Sequence, residues 1–276
     1  MFRKILLSVT IYPLVTLLFA LYFWGECRNL SQAAVGESAA ATALPAGADR
    51  QITCTRTERV IMKGTPWETV VSIVTAPQDG PVVMVIGGMH GDEPAGYLAA
   101  EGIVTWVIDR GTLVVIPRAN VSAISRRHRL GVDQLDLNRS FPGRTAGSET
   151  QQLAAAIFDL MVDLQPLWVL DLHEAQVLER AQAGGLGQTI IYPYGAGSLD
   201  IVNELLTAVN RTIPPPEDHF LLKCGLVKGT AMEAADSIGA ESMIIETWQG
   251  LPLELRVDYQ RRMVLSLLHL LGVAVY

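Results

Sequence analysis

No long basic stretch, no interleaving of basic and aromatic residues and no internal repeat of fixed period occur in this chain of 276 residues. With a formal net charge of −7, those absences argue against a nucleic-acid partner and against a repeat architecture. Cysteine is scarce as well: three residues and no Cys-x-x-Cys pair, which leaves out metal and redox sites built from paired thiols. Charged residues make up 18% and aromatics 7%, but half of the chain is apolar, so there is ample material for a core. Strand and helix patterns alternate along most of the length, which points to a single α/β core rather than two small domains.

The run Val82–Ile86 is short, β-branched and uninterrupted, the pattern of a strand buried on both faces and hence of a parallel sheet. Open α/β sheets place their chemistry at the C-terminal ends of such strands. Here the run stops at Gly87-Gly88-Met89-His90-Gly91-Asp92-Glu93-Pro94. His90 and Glu93 are ordinary zinc ligands, and a helix starting at Pro94 would hold their spacing rigid. Alone, such a pair reads equally well as a helix cap beside a surface residue. Two later runs end in the same chemistry, one at Asp171-Leu172-His173-Glu174 and one at Ile244-Ile245-Glu246. Neighbouring parallel strands bring their C-terminal ends together, so His90, Glu93, His173 and Glu246 are expected in one cleft. Two histidines and a carboxylate leave a fourth zinc position open for water, the arrangement of a catalytic site, and a further acidic residue remains to handle protons.

Between these segments lies Gly131-Val132-Asp133-Gln134-Leu135-Asp136-Leu137-Asn138-Arg139-Ser140-Phe141-Pro142-Gly143. Asp-Leu-Asn-Arg followed by Phe-Pro-Gly, after His-x-x-Glu and before Asp-Leu-His-Glu, resembles the zinc carboxypeptidase superfamily, and more closely its succinylglutamate desuccinylase and aspartoacylase branch. The stretch Pro117–Ala123 is similar to that branch's Asn-Pro-x-Ala segment, with Val121 in place of the proline. The resemblance runs from about residue 80 to the C-terminus. It implies one zinc ion per chain held by His90, Glu93 and His173, with Glu246 as general base and Asn138 and Arg139 binding a substrate carboxylate. Asp136 would accept the free ring N–H of His90 and fix its tautomer. The family also places an arginine upstream of this motif, where it polarises the scissile carbonyl. Counting forward from Asn120 selects Arg129, with Arg127 as the neighbouring alternative; Arg126 and Arg127 read as a solvated basic loop.

The chemistry of amide or ester cleavage supports these roles separately. Zinc brings the pKa of a bound water close to neutrality, and Glu246 can take that proton and pass it to the leaving nitrogen. Negative charge then builds on the carbonyl oxygen, where the metal and a guanidinium stabilise it. Arginine at position 139 suits a planar carboxylate because its fork donates two parallel hydrogen bonds.

The expected fold is a mixed, mostly parallel sheet flanked by helices, of the zinc carboxypeptidase kind, with an N-terminal transmembrane helix. Residues 1–27 read as a membrane anchor, 28–50 as a flexible linker rich in alanine, serine and glycine, and 51–276 as the zinc hydrolase domain. Ile5–Gly25 is almost entirely apolar and long enough to span the hydrocarbon core, longer than an export-signal core. Arg3 and Lys4 put the N-terminus in the cytoplasm and the enzyme outside; export after signal cleavage is the alternative. In an oxidising compartment Cys54 and Cys224 are candidates for a bridge, with Cys27 near the membrane surface. Gln51–Met62 and Trp67–Thr75 are expected as opening strands at an antiparallel edge, followed by strands at Gly111–Pro117 and Gln188–Tyr192. Helices are expected over Pro94–Ile108, Ser148–Leu164, Ser198–Arg211, Gly229–Ser237 and Glu254–Leu271, with His269 packed in the core.

Three readings compete. The first is a hydrolase of small carboxylate-bearing N-acyl amino acids, as the family branch implies. The second is a carboxypeptidase or amidase acting on short cell-envelope peptides. It is favoured by an expected location outside the cytoplasm and by the short remainder after Glu246, where the branch's extra β-rich domain is not expected. The third, a catalytically silent binding module, is disfavoured because every expected ligand and Glu246 are present.

Overall fold

Side chains of the run Val82–Ile86 alternate between two cores: Val83 and Val85 enter one, Met84 and Ile86 the other, and all four are fully buried. That is the signature of a strand covered on both faces. The computed structural model describes residues 53–276 apart from 183 and 194–196, all within a unit that spans 47–276. The expected membrane anchor and the whole of the expected linker lie outside the described residues. Among the described residues, no helix is long and apolar enough to cross a membrane.

Eight strands form one sheet: β1 (Thr55–Ile61), β2 (Thr69–Thr75), β3 (Gln78–Gly87), β4 (Arg110–Ile116), β5 (Trp168–Ala175), β6 (Thr189–Tyr192), β7 (Leu221–Cys224) and β8 (Glu241–Trp248). Their spatial order is β1-β2-β4-β3-β5-β8-β6-β7. The central four, β4, β3, β5 and β8, are mutually parallel. β1 and β2 add the antiparallel edge expected from the polar-apolar alternation of the opening residues, and β6 joins β8 antiparallel on the other side. One face carries helices α1 (Pro94–Ile103), α4 (Leu199–Asn210) and α6 (Leu253–Leu270) through Ala99, Ile103, Leu205, Met263 and Leu267. The opposite face carries α3 (Glu149–Leu164) and α5 (Ala231–Ser237) through Leu153, Ile157, Met161 and Ala235, while the short α2 (Val121–Ser125) follows β4. Each fully buried aliphatic side chain of these layers contributes roughly 1.5–3 kcal/mol.

Helix ends follow local chemistry. The Gln151 side chain reaches back to accept the Ser148 N–H, the returning half of a capping box, and α3 starts where expected. α1 begins at Pro94, as its missing N–H favours, but stops at Ile103 rather than Ile108. The β-branched segment beyond it leaves the helix to pair with the C-terminal residues: Val107 and Tyr276 exchange backbone hydrogen bonds, and Asp109 N–H donates to Ala274. β7 escaped the sequence reading because four half-buried edge residues carry no periodicity. His269 is exposed rather than packed, because the buried stripe of α6 runs through Met263, Val264, Leu267 and Leu268 and position 269 turns away from it. It sits in the last helical turn, where a histidine suits the helix dipole. Cys54 carries a free thiol directed at the Ile108 carbonyl, so no bridge links it to Cys224.

Gly96 lets α1 approach β5 closely, since a Cβ at that position would come within 2.4 Å of the Leu172 carbonyl oxygen. Gly96→Ala is therefore expected to cost about 1–3 kcal/mol, read as a lower urea midpoint at unchanged slope. An unchanged midpoint would show that α1 has room to give.

Candidate active site

The parallel ladder places His173 beside Glu246 and Gly87 beside Leu172, so the ends of β3, β5 and β8 meet at one edge. Along β5, Asp171 and His173 share a face because side chains alternate, while Glu174 points to the other. The loop that leaves β3 carries His90. It is held by Ala119 and Asn120, whose N–H groups donate to the carbonyls of Gly87 and Gly88, and by Gly91 N–H donating to His128. Gly91 packs against the Ala123 carbonyl, where a Cβ would lie 2.0 Å away. Asn120 caps α2 by accepting from Ala123 N–H. Val121 occupies the first helical position, which explains both the proline of the resembling segment and its replacement here.

Glu93 ends the loop with its carboxylate buried at 4% exposure. One oxygen lies 2.7 Å from Nδ1 of His90 and 3.1 Å from Nη1 of Arg129. The other lies 2.8 Å from Nδ1 of His173 and accepts the Glu174 N–H at 3.0 Å. The second nitrogen of His90 faces Asp136 Oδ1 at 2.9 Å, the partner expected from sequence. The second nitrogen of His173 has two neighbours, the Asn138 amide nitrogen at 3.0 Å and Asp171 Oδ2 at 2.9 Å, the latter without an aligned hydrogen bond.

This donor set fits a metal ion. Ligand atoms of His90, Glu93 and His173 all lie within 4.8 Å of one another. Both nitrogens of each ring face a carboxylate oxygen, yet a neutral imidazole carries one proton. Each ring must therefore be an imidazolium or give its Nδ1 lone pair to a cation. In the second case Nε2–H still points at Asp136 or Asp171, the orientation by which outer carboxylates hold ligating histidines.

Electrostatics agree. Burial disfavours charge on both histidines, but Asp136 and Glu93 raise the pKa of His90, and Asp171 and Glu93 raise that of His173 well above the usual value. Burial also opposes ionised Glu93, yet the two histidines hold it far below the carboxylate range. Glu246 differs. Burial pushes it up to about 7, with His173 opposing and Glu93 adding, and among the described residues its Oε2 has no hydrogen-bond partner.

A cavity of about 400 Å³ opens onto these groups, within the usual range for small-molecule sites. His90, Glu93, Arg129, Asn138, Arg139, His173 and Glu246 all line it. Of the two candidate arginines, Arg129 reaches the cavity and bridges Glu93 and Asp136; Arg127 is exposed, in a left-handed backbone conformation at φ 48°. The Asn138 amide is directed to His173 and to the Ala231 N–H. Arg139 donates to the Asn138 carbonyl and, among the described residues, has no carboxylate partner. Two buried acids were not anticipated: Asp171, whose Asp-x-His spacing on a strand was the available signal, and Glu174, which pairs with Arg256 and accepts the Ala95 N–H on the far face. The latter pair joins residues 82 apart, beyond any sequence pattern.

Residues 79–184 match the succinylglutamate desuccinylase/aspartoacylase catalytic domain. N-alpha-acetyl-L-2,4-diaminobutyric acid deacetylase of Halomonas elongata is 33% identical over 113 residues, which cover 39% of this chain and 33% of that protein. Among solved structures, the cell shape determinant protein Csd4 of Helicobacter pylori superposes with a TM-score of 0.65 at 22% identity, over 71% of this chain and 52% of Csd4. A succinylglutamate desuccinylase/aspartoacylase of Rhodobacter sphaeroides superposes with a TM-score of 0.60 at 19% identity, over 84% of this chain and 69% of that one. The chain thus spans about half the length of Csd4 and a third of the deacetylase.

The shifts set a pH signature for chelator-treated protein. His90 and His173, raised in the fold, contribute stability that is complete below about pH 6.5 and lost as pH climbs through their folded values. Glu246 acts in the same direction, from about 4.5 up to about 7. Metal-free protein should therefore lose melting temperature above neutrality, while metal-loaded protein should not, because rising pH removes the protons that compete for the ligands. Parallel curves with and without metal would count against the donor set.

Proposed function

Starting from a segment, 79–184, that matches the succinylglutamate desuccinylase/aspartoacylase catalytic domain, we propose that the chain is a zinc-dependent hydrolase. It cleaves an amide, or an ester, in a small N-acyl amino acid that carries a free carboxylate. The observation that carries this reading is the convergence, in one cavity, of a His-Glu-His donor set with a buried Glu246 oxygen and an arginine that, among the described residues, have no hydrogen-bond partner and no carboxylate partner respectively. The deacetylase relative, 33% identical across the matched region, favours an N-acyl amino acid over an envelope peptide.

Zinc, when bound by His90, Glu93 and His173, would supply a water acidic enough to lose its proton near neutrality and a positive charge to polarise the carbonyl. Glu246 holds the proton. Its buried oxygen lines the cavity beside the donor set, where it can accept the proton and then release it to the leaving nitrogen. Arg129 is oriented by Glu93 and Asp136, so its guanidinium is already in place when charge develops on the carbonyl oxygen. Arg139 receives the substrate carboxylate together with the Asn138 amide, whose N–H has no acceptor in a His173 nitrogen that itself carries a proton.

The membrane anchor and the location outside the cytoplasm remain part of the proposal, supported by the apolar run Ile5–Gly25 and its basic flank. Full-length chain should stay in membranes through alkali extraction; recovery in the supernatant with Met1 attached would remove the anchor.

Zinc-loaded Glu246→Gln should keep its metal and fold but lose on the order of 100-fold or more in kcat, with KM little changed. His173→Ala should lose metal and activity together. Near-normal kcat in the first variant, or stoichiometric zinc in the second, would defeat the assignment.

A further inference from the structure

The cavity has two unlike ends. Its charged and titratable side chains lie on 90–93, 129–139, 173 and 246. Beyond Glu246 the wall becomes aliphatic. Ile191 of β6 and Ile244 of β8 are register partners, and Ile244 shares the strand face of Glu246, two residues away, or about 7 Å along the strand. Leu186 and Val227 complete the wall. These four form, with Met232 of α5, a small cluster apart from the two main cores.

The aliphatic end also adjoins Arg139. Gly229, two residues after Val227, packs so closely on the Arg139 backbone that a Cβ there would lie 2.8 Å from its carbonyl oxygen. The part of a substrate that gives its carboxylate to Arg139 is therefore the part that meets Ile191, Ile244 and Val227. Resting on the hydrolase reading above, the geometry points to an α-amino acid with an uncharged aliphatic side chain as the leaving half of the substrate. A second carboxylate, or a side-chain ammonium, would lose its water against this wall and, among the described residues there, find no charged partner, which selects against it strongly. An aliphatic side chain gains about fourfold in binding for each methylene covered.

The test uses zinc-loaded full-length protein and a series with one acyl group: N-acetyl-leucine, N-acetyl-alanine, N-acetyl-aspartate and N-acetyl-2,4-diaminobutyrate. The leucine compound should exceed the alanine compound by at least about tenfold in kcat/KM and the two charged compounds by more. Calorimetric binding of the same compounds to Glu246→Gln should give the same order without turnover. Val227→Arg, in a half-buried loop position, should narrow or invert the preference of leucine over aspartate, and Ile244→Thr should reduce the preference of leucine over alanine. Equal or better use of the aspartate compound by the unaltered protein would overturn the inference while leaving the hydrolase reading intact. No turnover together with the expected binding order would do the reverse, and binding without any order would sink the inference.

Discussion

Three segments of the chain, the loop after β3, the loop of Arg129 and β5, are fixed in relation to one another by a single buried carboxylate. Glu93 sits at a helix start, almost without solvent, and its two oxygens are shared among His90, Arg129, His173 and the Glu174 N–H. A carboxylate in that position is tolerable only if each oxygen is compensated, and losing one partner would leave an expensive buried charge. The requirement reaches outward: His90 needs Asp136, Asp136 also orients Arg129, and His173 needs Asp171. Local constraints therefore combine into one rigid arrangement.

The sheet makes that arrangement possible by separating tasks between its faces. His173 projects into the cavity while the next residue, Glu174, projects the other way and ties β5 to α1 and α6 through the Ala95 N–H and Arg256. Gln260 of α6 donates to the His173 carbonyl, so the backbone that carries the histidine is gripped from behind. A site mounted on strands and backed by a packed helix layer is held more tightly than one built from loops alone.

Charge explains the character of the cavity. Near His90 and His173, carboxylates outnumber the permanently cationic groups, which suits a site that receives a metal ion. Farther on, the wall of Ile191 and Ile244 carries no charge and suits the opposite kind of group. Both ends flank Glu246, so the proposed proton carrier stands where polar chemistry meets apolar recognition.

Much of this could be read from sequence because it depends on local physics. β-branched runs bounded by glycine gave the central strands, Pro94 and Ser148 marked helix starts, and strand ends bearing His90, His173 and Glu246 indicated a common cleft. What the sequence could not decide depended on partners distant along the chain. β7 forms because β6 offers it an edge, α1 ends early because Val107 finds Tyr276, and Cys54 stays free because its thiol faces Ile108 rather than another cysteine. Asp171 and Glu174 flank strand positions 172 and 173 with ordinary side chains, and only the packing of α5, α1 and α6 decides that one faces His173 and the other Arg256. Residue type and spacing fixed which groups were available for chemistry. Tertiary structure fixed which of them touch, because hydrogen bonds and ion pairs act over about 3 Å while the residues that form them can be 165 positions apart, as Ala274 and Asp109 are.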